Sequence, residues 1–164
     1  MLNITIQQAS EKDIDSIVAL VNKAYLPEYK KQKLSTNTIN ELLTSNNPKK
    51  IKERFKGNYF FVAKNSSNIL VGIIGLRKDS ERSLHDRVST FCVEKEYRGK
   101  GVGSLLFKEI LALANKLQVK KLVVKASFFA EPIYIHWGFK KIKIISKKYS
   151  DGHLHRTVWM EKVI

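Results

Sequence analysis

Cysteine, proline and acidic side chains are all scarce in these 164 residues, and no long apolar run interrupts them. A single cysteine, Cys92, excludes an internal disulfide and fits a reducing compartment, so the expected setting is the cytoplasm. With no supporting motif around it, Cys92 reads as a strand residue of the core and not as a nucleophile. No apolar stretch approaches the roughly 20 residues a membrane helix needs. The start, Met1-Leu2-Asn3-Ile4-Thr5, lacks the charged and apolar regions of a signal peptide, so no membrane partner is expected. No two histidines show the i, i+4 spacing of a helical metal site. His153 and His155, beside a turn, lack carboxylate or cysteine company, and no metal is expected.

The shortage of acid leaves 15 Asp and Glu against 30 Lys and Arg, a net charge of +15. Such a surface attracts polyanions. Yet the basic residues are spread along the chain. The densest groups are Lys49, Lys50, Lys52, Arg54 and Lys56, then Lys140, Lys141, Lys143, Lys147 and Lys148. No ribonucleoprotein motif, zinc-finger spacing or basic zipper is present, so solvated lysines are the preferred reading and nucleic acid is not favoured.

What the chain does have is a glycine-rich stretch late in the sequence. Val93 to Ser104 reads Val-Glu-Lys-Glu-Tyr-Arg-Gly-Lys-Gly-Val-Gly-Ser. Gly99, Gly101 and Gly103 permit backbone angles and close approaches that other residues forbid. A helix opening from such a turn aims unpaired N–H groups and its positive dipole end outward, which makes an anion site. The dinucleotide fingerprint would need glycine at 104, where Ser104 stands, and the P-loop pattern is absent.

The remaining pattern is that of alternating strands and helices in one domain, 1–164. Asn3 to Gln8 alternates as a first, edge-like strand. Ser10 and Asp13 form a capping box ahead of a helix carrying Ile14, Ile17, Val18, Val21, Ala24 and Tyr25, which Pro27 is expected to end. Ser35 and Asn47-Pro48 cap two short helices in a stretch, 30–57, that looks poor in core material. Tyr59 to Lys64 and Ile69 to Leu76 make a hairpin, and Asp79 to Ser83 a charged loop. Val88 to Val93 is a central strand leading into the glycines. Leu105 to Leu117 is the most apolar helix, and Lys121 to Ser127 a buried strand. Two last strands, Lys140 to Lys147 and His155 to Lys162, flank a turn at Asp151-Gly152.

Arg98-Gly99-Lys100-Gly101-Val102-Gly103 fits R-x-x-G-x-G, and this loop resembles the pyrophosphate loop of the GNAT superfamily of acyl-CoA-dependent N-acyltransferases. A second element, Ala130 to Phe139, resembles that family's A-x-x-F-Y-x-x-x-G-F segment. Ala130, Tyr134, Gly138 and Phe139 match, Ile133 replaces the usual aromatic, and an asparagine that often contacts the cofactor is missing, with Ser127 near its place. The resemblance implies an α/β (α+β mixed) fold, a mostly antiparallel sheet of about seven strands flanked by helices. It implies acetyl transfer from acetyl-CoA to a primary amine, on a small molecule or on a protein such as a ribosomal protein. Cys92, Val93, Arg98, Gly99, Lys100, Gly101, Val102, Gly103, Ser104 and Ser127 are then the expected cofactor contacts. Tyr134 is the expected general acid. Asp86 and Ser89, with His85, are candidates for the base, with a water chain as the alternative, and Tyr25, Glu28 and Tyr29 for acceptor contact; His153 and His155 could reach the acceptor from their turn, though a surface histidine by default has no role. The rival reading, from another class, is a basic module docking on RNA or the ribosome with vestigial acyl-CoA binding. A monomer or a homodimer is expected.

Overall fold

The computed structural model describes residues 3–78, 85–149 and 151–164. Its seven strands form one sheet: β1 (Ile4–Gln8), β2 (Tyr59–Asn65), β3 (Leu70–Lys78), β4 (His85–Val93), β5 (Lys121–Ser127), β6 (Lys140–Lys148) and β7 (Leu154–Val163). They lie in the order β1-β2-β3-β4-β5-β7-β6. Every pair is antiparallel except β4 with β5, whose parallel run is short. Five helices flank the sheet: α1 (Ile14–Lys31), α2 (Thr36–Thr44), α3 (Pro48–Phe55), α4 (Val102–Lys116) and α5 (Glu131–His136).

Two cores form, one on each face. On one, α4 lays Val102, Leu106, Phe107, Ile110 and Ala114 against the sheet, an i, i+4, i+5, i+8, i+12 stripe. Leu105 and Leu117, which the apolar run includes, remain exposed. Gly72 allows this packing, since a Cβ there would sit 3.0 Å from Leu106 Cδ1. On the other face α1 buries Ile14, Ile17, Leu20, Val21 and Ala24 over Phe60, Val62, Ile73 and Cys92. The capping box forms as expected, with the Ser10 N–H donating to Asp13 Oδ2 at 2.8 Å. Asp13 also pairs with Lys64 of β2 at 2.8 Å, which ties the start of α1 to the sheet.

Two expectations need correction. Pro27 does not end the first helix: α1 continues through it to Lys31. Proline removes one N–H bond from a helix interior. Here the turns beyond it are held by buried Tyr29, stacked on Tyr25 at 5.8 Å. Nor is 30–57 poor in core: Ile51 is fully buried in the α1-side core, and Phe55 stacks on Phe60 at 4.7 Å. Both short helices begin where the caps indicate, Ser35 accepting from the Thr38 N–H and Asn47 from the Lys50 N–H. The charged loop expected at Asp79 to Ser83 lies outside the described residues, as does the side chain of His85.

Candidate active site

Two irregularities in β4 create the site. Ile73 pairs with Cys92 and Gly75 with Ser89, so Ile74 alone faces both Thr90 and Phe91. This is a β-bulge, and Thr90 sits in it at φ 49°. A β-branched residue in the left-handed region is strained, by about 1–3 kcal/mol. The second irregularity is that β4 pairs with β5 only over His85–Arg87. Beyond that point the two strands part, and a cavity opens on each side of the cleft.

The glycine loop borders the first, larger cavity of about 780 Å³. Gly99 and Gly101 have φ values of 72° and 83°, and a Cβ on either would meet nothing within 4 Å. Both positions therefore combine a left-handed backbone with open space in front of it. Gly103 serves differently, as a Cβ there would lie 3.1 Å from Phe91. Gly101 is the N-cap of α4. From Gly99 to Ser104 no backbone N–H donates to any group among the described residues. A run of unpaired donors at the positive end of a fifteen-residue helix is a cradle for a phosphate-type anion.

The same cavity is walled by Ala24, Tyr25 and Glu28 from α1, by Phe91 to Val93, and by Phe129, Ala130, Pro132, Ile133, His136 and Trp137. Arg98 reaches it already engaged, its Nε donating to the Val93 carbonyl at 2.9 Å and its Nη1 lying 3.8 Å from Glu28. Lys100 stands over the Tyr97 ring at 5.9 Å and does not line the cavity. Val102 is buried in the core, so only its main chain faces the loop. Tyr134 lies behind the wall, edge-on to Phe91, Trp137 and Phe139. Burial, aided by nearby Cys92, pushes its phenol far above the usual value, so it keeps its proton. Burial likewise pushes the Cys92 thiol up to about 12, which leaves no thiolate at neutral pH.

The second cavity, of about 230 Å³, meets the first at Tyr25 and Phe129. Its remaining lining comes from Val21 and Tyr29, Ser45, Asn46 and Arg54, Thr90, Lys125 and Ser127, and His155 and Thr157. Tyr25 donates to the Phe91 carbonyl at 3.0 Å, pinning α1 to the bulge between the two cavities. His155 Nδ1 is buried with no partner among the described residues. Burial, and then Lys147, push its imidazole below the usual value, so it is neutral at pH 7.

The structure thus gathers Cys92, Val93, Arg98, Gly99, Gly101, Gly103 and Ser104 around the first cavity and puts Ser127 in the second. It does not bring Asp86, Ser89, Lys100, Val102 or Tyr134 to the lining of either. Asp86 pairs with Lys78 and Leu122 at the far end of β4, and Ser89 pairs with Gly75 before the bulge. His155 lies near the start of β7 and lines the second cavity, where its Nδ1 has no partner among the described residues.

Among curated proteins none matches this chain. Among solved structures, PaiA N-acetyltransferase from Thermoplasma acidophilum, in complex with coenzyme A, is 16% identical at a TM-score of 0.80, with 99% of each chain covered. A GNAT-family acetyltransferase from Staphylococcus aureus is 18% identical at 0.72, covering 98% of this chain and 99% of that one. The ribosomal-protein-S18-alanine N-acetyltransferase from Escherichia coli is 14% identical at 0.74, covering 99% and 94%. Likeness at these identities speaks for the fold. The family model described as "Acetyltransferase (GNAT) domain" matches residues 25–163. On that match the chain belongs to the GNAT acetyltransferase family, and with it to the acyl-CoA-dependent N-acetyltransferases.

Proposed function

We propose that this chain transfers an acetyl group from acetyl-CoA to a primary amine by direct attack, with the donor in the first cavity and the acceptor in the second. The observation that carries this reading is the row of unpaired N–H groups from Gly99 to Ser104, set beside a cleft between β4 and β5. The residues present fit the donor, because the diphosphate's charge suits the cradle and no side chain fills the space above Gly99 and Gly101. When bound, acetyl-CoA supplies the activated acyl group as a thioester.

The chain's own residues would act as follows. The free edge of β4 past Arg87 offers main-chain groups to the donor's amides, and an N–H near Val93 faces the carbonyl that gains negative charge. Tyr134 keeps its proton behind the rings of Phe91 and Trp137, and gives it to the departing thiolate once that wall shifts or a water bridges it. The neutral imidazole of His155 accepts the proton that the attacking amine loses, directly or through a water in the small cavity. Aromatic walls at Phe91, Phe129 and Trp137 limit water around the thioester. Calorimetry with acetyl-CoA tests the reading. The wild type should bind, and Gly101→Glu, which places a carboxylate in the cradle, should weaken binding at least about tenfold. Absent wild-type binding, or equal affinity in the variant, refutes it.

A further inference from the structure

The second cavity has an unusual charge balance. Arg54 and Lys125 both line it, and no Asp or Glu does. Arg54 is half-buried in α3 and makes no ion pair among the described residues. Its guanidinium donates to neutral oxygens only, from Nη1 to Asn46 Oδ1 at 3.0 Å and from Nη2 to the Ser45 carbonyl at 2.6 Å. Among the described residues the Lys125 ammonium, on β5, has only the Trp159 ring, at 5.7 Å. Burial, and next the like charge of Arg77, push the Arg54 guanidinium below its usual value, so the surroundings do not neutralise it. A half-buried cation without a counter-charge costs folding free energy. A ligand that supplies the missing negative charge recovers that cost.

Resting on the reading that the acceptor enters this cavity, we propose that the acceptor is a small primary amine that also carries a carboxylate or phosphoryl group, an amino-acid-like molecule. Arg54 and Lys125 bind the anionic group while the amine points toward Tyr25 and Phe129, where the two cavities meet. The planar fork of Arg54 is suited to two oxygens of one acid group. Hydroxyls of Thr90, Ser127 and Thr157 line the same walls and offer hydrogen bonds. At about 30 Å³ for each water-sized group, the cavity of about 230 Å³ holds a molecule of roughly eight such groups, the size of a small amino acid. The net charge of +15 opposes polyamines and exerts no such repulsion on a zwitterion.

The test is a thiol-release assay on the full chain with acetyl-CoA. Its arms are free amino acids and their amides, aminoalkylphosphonates and their neutral esters, a polyamine, and a short peptide with a neutral first residue. The acid-bearing amines should exceed their neutral counterparts at least about tenfold in kcat/KM, the worth of one charge-assisted contact. The carboxylate and phosphonate arms show which acid is used. Lys125→Met, at an exposed position with no hydrogen bond to lose, should raise KM for the acid-bearing amine about tenfold and for its neutral counterpart much less. Arg54→Lys should do the same through loss of the fork. An acid-bearing amine should also raise the melting temperature of the wild type more than its amide does. Equal turnover of neutral and acid-bearing amines, preference for the polyamine or the peptide, or no turnover of any acid-bearing amine overturns the proposal. If acetyl-CoA binding is absent as well, the acetyltransferase reading fails with it; if binding is intact, only this proposal falls.

Discussion

Replacing Tyr25 by phenylalanine removes one oxygen and tests the geometry of the whole cleft. That oxygen donates to the Phe91 carbonyl at 3.0 Å. Burial first, and then nearby Cys92, Tyr134 and Tyr29, hold the Tyr25 phenol well above its usual value, so it remains a donor at any working pH. Phe91 is in the bulge, past the last β4–β5 pair, so no ladder bond can replace the lost one. A net hydrogen bond is worth about 1 kcal/mol, and a carbonyl left unsatisfied costs up to about 3. Water from the adjoining cavity offsets part of that, which puts the loss at about 1–2 kcal/mol. For a chain of this size each kcal/mol moves Tm by about 2–4 °C, so Tyr25→Phe should melt roughly 2–8 °C lower. Turnover should fall further than stability suggests, by about tenfold to a hundredfold, because a shift near 1 Å in the bulge misplaces the reacting groups. Thermal unfolding and thiol release measure the two effects. An unchanged Tm with unchanged turnover would mean that the bulge holds its shape without α1, and the reasoning fails.

Two further outcomes follow from the same cleft. Tyr134→Phe keeps the ring contacts with Phe91, Trp137 and Phe139 and removes the proton, so kcat should drop about a hundredfold while the acetyl-CoA dissociation constant stays within about twofold; equal kcat removes the acid role. His155, held below its usual value by burial and Lys147, should give kcat a limb that declines as pH falls through a point below about 6.5, since the imidazole must be neutral to accept a proton. The groups around it are Lys147, Tyr149, Lys125, Arg54, Tyr25 and Tyr29. His155→Gln should flatten that limb, and a limb that persists assigns it to another group.

The architecture was largely legible in the pattern of residues, because the informative signals were local. Alternation marked β1, caps at Ser35 and Asn47-Pro48 set two helix starts, and the apolar stripe of α4 announced a face against the sheet. Pro27 misled because a local helix breaker was overridden by tertiary contact at Tyr29. The glycine loop was legible for the same local reason: Gly101 needs its left-handed angle where it stands. The second cavity was legible only in part: Tyr25 and Tyr29, singled out in the sequence, line it, and its cations did not stand out. Arg54, Lys125 and His155 come from α3, β5 and β7. In sequence they are one basic residue in a lysine-rich helix, one in a strand, and a histidine beside a turn. Only the parting of β4 from β5 sets them around one space. Asp86 and Ser89 looked apt by position along β4, yet the bulge at Thr90 and Phe91 decides which side chains reach the cleft.

Strand β6 ends the sheet, and five of its nine residues are lysines: Lys140, Lys141, Lys143, Lys147 and Lys148. An outermost strand presents bare N–H and C=O groups to any extended peptide that drifts alongside. A twin molecule docking there would have to lay one lysine-rich strand about 5 Å from another, and the mutual repulsion opposes the approach even where Ile142 and Ile144 lie exposed. These lysines work as a fence around an open border. Part of the chain's positive excess is therefore spent along this border, where like charge opposes a second strand.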